Sequence, residues 1–241
     1  MKLAIVSDIH GNLEAFDAVL SNIQGESADA IVSLGDNIGY GPDPELVNLR
    51  IMELNIASVL GNHEYAVLNR GYIEAFNVLA KHSIELTLEM LSEKSLAFIS
   101  NLPCSLVFQD CRFVHGVPPD SPTRYFHQFQ GKTLDALFHT FDEPVCFVGH
   151  THKLDMAVFN GKNAVRTPLG HGVLNLDKQY RYIINVGSVG QPRDGSNPAK
   201  YSLWDTKTHV LENRAVAYDV LSVVEKIESR GFPRANALRL L

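Results

Sequence analysis

Asp8, His10, Asp36, Asn62, His115, His150 and His152 are all oxygen or imidazole donors, and most stand in short glycine-flanked patterns. These are Ser7-Asp8-Ile9-His10-Gly11-Asn12, Gly35-Asp36-Asn37, Gly61-Asn62-His63-Glu64 and Gly149-His150-Thr151-His152. A donor set without thiolate suits two divalent metal ions. Two such ions can clamp a phosphate and generate a hydroxide to attack it. Asp8 and His10 are two residues apart, so on an extended strand their side chains share a face and reach one ion. His150 and His152 repeat that spacing. Asp36 has two oxygens with which to bridge both ions, and Asn62 offers a weak amide oxygen that leaves a metal strongly Lewis-acidic. Two dications against two carboxylates and one hydroxide leave about one positive charge at the centre. That charge would draw a phosphate into a chain whose formal net charge is −6.

These donors need elements that end beside one another. Lys2–Val6 reads as a buried strand that stops at Asp8. Asn12 can cap a helix carrying Leu13, Phe16, Leu20 and Ile23 on one face. Ala30–Leu34 is a second strand ending at Gly35-Asp36, and Asp43-Pro44 opens a second helix. Ile56–Leu60 is a third strand ending at Gly61-Asn62-His63. Such alternation predicts parallel strands with helical crossovers, and open α/β sheets place their sites where the strands end. Ile73–Ile99 has a helical pattern, as one helix or as two broken near Ser92. Ser105–Phe108 and Arg112–His115 are strands, Val117–Gln130 a proline-containing loop, Lys132–Phe141 a helix and Val145–Val148 a strand. From Leu154 onward the texture is short strands, with Asn160-Gly161 as a hairpin turn. Val220–Ser229 is helical, and the tail after Gly231 carries no signal. One domain over residues 1–241 with two sheets is expected.

Length and composition bound the rest. A chain of 241 residues with 45% hydrophobic content can bury a substantial core. Its acidity gives no global attraction to nucleic acid or to an anionic membrane. The first residues read as a strand and not as a signal peptide, and no apolar run approaches the roughly 18 residues of a membrane helix. Cys104, Cys111 and Cys146 form no CxxC pair, so reduced thiols and a cytoplasmic location are expected. The apolar strands after Leu154 would allow, without requiring, pairing across a homo-oligomer.

The ordered blocks Asp8-Ile9-His10, Gly35-Asp36, Gly61-Asn62-His63-Glu64, His115 and Gly149-His150-Thr151-His152 resemble the calcineurin-like metallophosphoesterase superfamily. The segment Asn185-Val186-Gly187-Ser188, followed by Gln191-Pro192-Arg193, and the run Gly39-Tyr40-Gly41-Pro42 resemble its small prokaryotic phosphodiesterase-type members. The resemblance implies a four-layer α/β/β/α sandwich of two mixed sheets with flanking helices. It implies one ion held by Asp8, His10, Asp36 and His152, and a second by Asp36, Asn62, His115 and His150. It further implies a metal-bridging hydroxide attacking phosphorus in line, with His63 stabilising phosphoryl oxygens and protonating the leaving oxygen. The ions would be Mn²⁺ for preference, with Fe, Zn, Ni and Co as alternatives. The expected substrate is a phosphate ester or nucleotide-like small molecule. Tyr40 stands where Ser/Thr phosphatases and symmetric diadenosine tetraphosphate hydrolases carry Arg, which argues against both activities.

The remaining candidates carry weaker signals. Arg193 can clamp a phosphate or pair with Asp194. Tyr40 can stack on a substrate base or simply pack. Asp120 and Arg124 are rim positions, and His171 lacks any motif. The leading expectation is a phosphodiesterase. The alternatives are a dinucleoside polyphosphate hydrolase or phosphomonoesterase, and a non-catalytic scaffold that keeps the metal site for protein binding.

Overall fold

The computed structural model describes residues 1–241. The N-terminal part alternates as its periodicity predicts: β1 (Lys2–Val6), α1 (Leu13–Gln24), β2 (Ala30–Ser33), α2 (Pro44–Glu53) and β3 (Ala57–Ser58). The helices α3 (Asn62–Leu68), α4 (Val78–Met90) and α5 (Glu93–Ser100) follow. Next come the hairpin β4 (Ser105–Phe108) and β5 (Cys111–Val114), then α6 (Lys132–Leu137) and β6 (Val145–Val148). The second half supplies β7 (Leu154–Phe159), β8 (Ala164–Pro168), β9 (Gly172–Asn175), β10 (Arg181–Val186), β11 (Ala199–Asp205) and β12 (Val210–Val216). It closes with α7 (Val220–Ser229) and α8 (Arg234–Leu238).

Two six-stranded mixed sheets result, ordered β3-β2-β1-β11-β12-β9 and β4-β5-β6-β10-β7-β8. β1, β2 and β3 pair in parallel, as do β5, β6 and β10, while β11 runs antiparallel to β1 and β7 to β10. β1 shows why four layers form. Its Leu3 and Ile5 enter the core between the sheets with Phe113, Phe147, Ile184 and Trp204. The alternate residues Ala4 and Val6 pack outward against Phe16, Val19, Leu20 and Ile51 of α1 and α2. A strand buried on both faces must be apolar throughout. On the far side, Val114, Cys146 and Val148 of the second sheet meet Phe126, Leu134 and Phe138. The architecture is the four-layer α/β/β/α sandwich.

Several element boundaries differ from the periodicity. The third strand shrinks from 56–60 to two residues, because Leu60 N leaves the ladder for Pro103 O at 2.8 Å. The 73–99 segment is two helices broken at Leu91-Ser92, as one alternative expected, but the first starts at Val78 and not at Ile73. The Ser92 hydroxyl caps α5 by accepting from Ser95 N, and Glu45 holds Ser92 in place. The helix predicted over 132–141 stops at Leu137, since Arg181 donates to the carbonyls of Phe138, Phe141 and Glu143 and turns the chain. Asp43 stands at the N-cap of α2 as expected but makes no capping bond; its carboxylate takes Lys226 of α7 and Arg230 at the end of that helix. The tail after Gly231 is structured, and α8 in it reaches the candidate site.

Candidate metal centre

Six residues of the candidate site sit in left-handed backbone: Asp8 (φ 52°), His10 (50°), Asp36 (51°), Tyr40 (51°), His150 (68°) and His152 (59°). Such conformations cost roughly 1–2 kcal/mol per non-glycine residue and persist where surrounding structure over-determines them. Here the loops bond to one another: Asp8 N donates to Gly35 O (3.0 Å), His10 N to Asp36 O (2.8 Å) and Gly11 N to Asn37 O (2.8 Å). This corrects the expectation that Asp8–His10 and His150–His152 share the face of an extended strand. The strands end at Val6 and Val148, and it is alternation between left-handed and ordinary backbone beyond them that turns each pair inward.

The structure gathers all seven predicted donors, together with His63, into one buried centre, with most of the donors falling into two groups that meet at Asp36. In the first group, His10 Nε2 lies 3.2 Å from His152 Nε2. Asp8 Oδ1 is 3.7 Å from the former and 3.3 Å from the latter. Asp36 Oδ2 is 3.8 Å from His10 Nε2. In the second, His115 Nε2 lies 3.2 Å from Asp36 Oδ2, 3.1 Å from Asn62 Oδ1 and 3.1 Å from His150 Nδ1.

The remaining ring nitrogens fix the tautomers. His10 Nδ1 donates to Ile38 O (2.9 Å), His152 Nδ1 to Gln191 O (2.6 Å) and His115 Nδ1 to Leu34 O (2.8 Å). His150 Nε2 faces Thr123 O at 3.3 Å. A carbonyl only accepts, so each of these nitrogens carries the proton and the opposite nitrogen turns a lone pair inward. Lone pairs of imidazole, carboxylate and amide therefore converge in both groups, and Asp8 Oδ1 is buried with no hydrogen-bond partner. Facing lone pairs repel unless a cation lies between them, so the residues present fit divalent ions.

The electrostatics agree. Burial holds His10 and His152 well below the usual imidazole range and lowers His150 to about 3, leaving neutral rings. Burial pushes Asp8 up to about 6. At the junction, burial opposes charge on both partners but loses: His115 rises to about 9 beside Asp36, and Asp36 is held well below the carboxylate range by His115 and His63.

His63 stands at the edge of this centre, its Nε2 4.0 Å from Asp36 Oδ2. Its ring packs between Tyr40 (4.6 Å), His10 (4.8 Å) and Phe76 (5.0 Å), and burial lowers it to about 4. Gly39 is required here: its φ is +87°, and a Cβ would come within 2.1 Å of His63 Nδ1. Tyr40 packs against His10 at 4.7 Å while remaining partly accessible. Arg193 reaches toward the Tyr40 ring (5.7 Å) and bonds Gln191 Oε1; it leaves Asp194 to the buried Lys200. His171 and Asp120 are exposed, and Arg124 lies over Phe129. The structure does not bring these three into the centre.

Two residues were given no role in the sequence reading, although Glu64 stands in the Gly61-Asn62-His63-Glu64 block. Glu64 is fully buried, and its carboxylate accepts from Asp36 N (2.9 Å), Asn37 N (2.7 Å) and Gly61 N (3.0 Å). Burial and the Asp36 charge push it up to about 7. All three of these contacts are donors, however, so the geometry accommodates the ionised form. A glutamate three residues after Gly61, at the start of a helix, is a capping-box signal that could have revealed it. Asn236 of α8 donates to Tyr40 O (2.8 Å) and to Ser83 Oγ (3.0 Å), with no signal in the sequence.

Residues 1–209 match the calcineurin-like phosphoesterase superfamily domain. An uncharacterized protein of Methanocaldococcus jannaschii is 36% identical over 99% of this chain and 96% of its own length. A metallophosphoesterase from Sphaerobacter thermophilus is 34% identical, with a TM-score of 0.83 over 100% of this chain and 98% of that one. A hypothetical protein from Pyrococcus horikoshii shares the fold at 19% identity, with a TM-score of 0.77 over 99% of this chain and 97% of its own.

Proposed function

The chain belongs to the calcineurin-like phosphoesterase superfamily, hydrolases of phosphoric esters, and from that premise we propose that it is a dinuclear-metal-dependent phosphodiesterase. The observation that carries the reading is the position of Asp36 Oδ2 between two groups of inward-facing lone pairs. Asp8, His10, Asp36 and His152 would hold one ion, and Asp36, Asn62, His115 and His150 the other. When bound, the two ions supply Lewis acidity and a water acidified to nucleophilic strength near neutral pH.

The chain's own side chains do the rest. His10, His115, His150 and His152 keep their tautomers through backbone carbonyls, so the donor geometry is set before any substrate arrives. Burial favours the neutral form of His63. An incoming phosphate adds negative charge beside it and raises its affinity for a proton, which suits it to hydrogen-bond a phosphoryl oxygen and to protonate the leaving oxygen. Arg193 is placed to meet a second oxygen of the substrate, with Tyr40 walling the pocket. The preference for a diester rests on the resemblance of Gly39-Tyr40-Gly41-Pro42 and Asn185-Val186-Gly187-Ser188 to the small phosphodiesterase-type members.

Imidazole and carboxylate donors without thiolate suit Mn, Fe, Zn, Ni and Co, and manganese is the metal we prefer for assay. No helix is long and apolar enough to cross a membrane, and three free cysteines, two of them buried, fit a reducing cytoplasm. We read residues 1–241 as one functional unit, because α8, outside the family match, holds Tyr40 through Asn236.

Purification without chelator, metal analysis, and assays with bis-p-nitrophenyl phosphate, p-nitrophenyl phosphate and diadenosine tetraphosphate under added Mn²⁺ test this reading. The diester should be hydrolysed best. Asp36→Ala should lose metal and turnover together, whereas His63→Ala should lose turnover at unchanged metal content. Two bound ions per chain with none of the three compounds hydrolysed would overturn the proposal.

A further inference from the structure

A cleft of about 370 Å³ opens beside the metal centre, with Tyr125, Thr151, Lys153, Asp155, Arg166 and Arg193 in its walls. It shares structure with the centre at three points. The Tyr125 ring stacks on His150 with centroids 3.8 Å apart. Thr151 lies between His150 and His152, and its Oγ1 accepts from Asn185 Nδ2 at 2.9 Å. Arg193 N donates to His152 O at 3.2 Å.

The charge in this cleft is lopsided. Lys153, Arg166 and Arg193 are opposed by one carboxylate, Asp155, already bonded to Arg166 Nη1. The Arg166 guanidinium lies over the Phe126 ring at 4.2 Å, and its Nε and Nη2 are buried without an acceptor. Arg193 uses Nη2 on Gln191, and its Nε also lacks an acceptor. Lys153 is exposed. Three cations lining one cleft against a single carboxylate leave it net positive. A bound anion offsets that charge, and guanidinium groups match phosphate geometry.

We propose that this cleft is an anion subsite for a second phosphoryl group of the substrate, so that preferred substrates are organic esters carrying two phosphates. The proposal rests on the phosphodiesterase reading above for the position of the scissile phosphate. Arg166 and Lys153 would set this specificity, with Arg193 at the junction between subsite and centre.

Thymidine 5′-(p-nitrophenyl phosphate) and its 3′-phosphorylated counterpart have the same leaving group and nucleoside and differ only in the second phosphate. At physiological salt with Mn²⁺, kcat/KM should favour the 3′-phosphorylated ester at least roughly tenfold, as a charge-assisted contact implies. That ratio should fall about tenfold in Arg166→Gln and a few-fold in Lys153→Gln. A ratio near one in the natural protein, or a ratio unmoved by either variant, would overturn the subsite. Should Arg166→Gln fail to fold, the exposed Lys153→Gln decides alone. Calorimetry with adenosine 3′,5′-bisphosphate against adenosine 5′-monophosphate repeats the comparison without turnover. If neither ester is cleaved, yet the bisphosphate binds more tightly and loses that advantage in the variants, the subsite stands and the phosphodiesterase reading falls. If both esters are cleaved without preference, the reading stands and the subsite falls.

Discussion

Glu64→Gln tests whether the centre is built on the carboxylate beneath it. Glu64 Oε2 accepts from Asp36 N and Gly61 N, and Oε1 from Asn37 N at 2.7 Å. Glutamine keeps one acceptor oxygen. In its better orientation that oxygen faces Asp36 N and Gly61 N, and the amide NH₂ is forced against Asn37 N. At least one hydrogen bond to a charged acceptor is lost, about 1.5–3 kcal/mol, and a buried donor is left unpaired at about 1–3 kcal/mol. The relief of burying a neutral group in place of a charge offsets part of this. A net loss of about 3 kcal/mol is expected, or roughly 6–12 °C in Tm for a chain of this length. The loss is expected to be local in origin, because Glu64 holds the backbone of Asp36 in its left-handed turn. Metal retention should therefore weaken alongside stability. Thermal unfolding by circular dichroism, run with chelator and with Mn²⁺, measures both effects, and Glu225→Gln on the exposed side of α7 is the control. A Glu64→Gln protein within about 1 kcal/mol of the parent, with the same metal content, would show that the carboxylate is not what shapes the site.

Gly39→Ala should cost about 2 kcal/mol or more through left-handed strain and overpacking. Denaturant unfolding should register that cost, and turnover of bis-p-nitrophenyl phosphate should fall further than stability does, because the new methyl displaces His63. Stripping metal with chelator should lower Tm, and returning Mn²⁺ to a hundred times its Kd should restore about 2.7 kcal/mol for each ion site filled. An unmoved Tm in a calorimeter would mean that the facing lone pairs are not a cation's seat. The bidentate Arg112–Glu143 pair, with both contacts at 2.9 Å, gives a pH test. Burial alone would raise Glu143, but Arg112 holds it below the usual glutamate value. A depressed carboxylate contributes in full above its unfolded value of about 4.3 and loses that contribution as pH falls through the folded one. Glu143→Gln should therefore destabilise by about 1 kcal/mol at pH 7 and by nothing measurable near pH 3 in urea titrations.

The donors were legible because their types are rare in combination and each follows an apolar run that reads as a strand. Asp36 and His150 need no tertiary knowledge to be placed at strand ends; the strands before them are short and apolar. Sheet order was legible only where crossovers are local. The pairing of β1 with β11, almost 200 residues away, depends on which apolar faces fit and leaves no periodic trace. A helix end was misjudged where a distant side chain claimed the carbonyls, as Arg181 does at Phe138, whereas Asp43 and Pro44 open α2 where expected even though Lys226 and Arg230 take the Asp43 carboxylate.

The spacing of Asp8 and His10 shows how a correct grouping can rest on the wrong geometry. An extended strand would aim both side chains to one face, but it would also carry Ile9 to the opposite face and keep the chain moving away from the centre. Left-handed turns at Asp8 and His10 instead fold the backbone so that Asp8 N reaches Gly35 O and His10 N reaches Asp36 O. Ile9 is then free to join the outer core with Phe16 and Val189. The same turns recur at Asp36, His150 and His152, so the strain is shared among segments after β1 and β2, which hold each other by backbone bonds, and after β6, whose His150 N donates to Asp8 Oδ2 at 3.0 Å. A centre built in this way is preorganised before any ion enters. Its weak point is a group such as Glu64, which ties the segments together from beneath and which no count of metal-binding residue types would select.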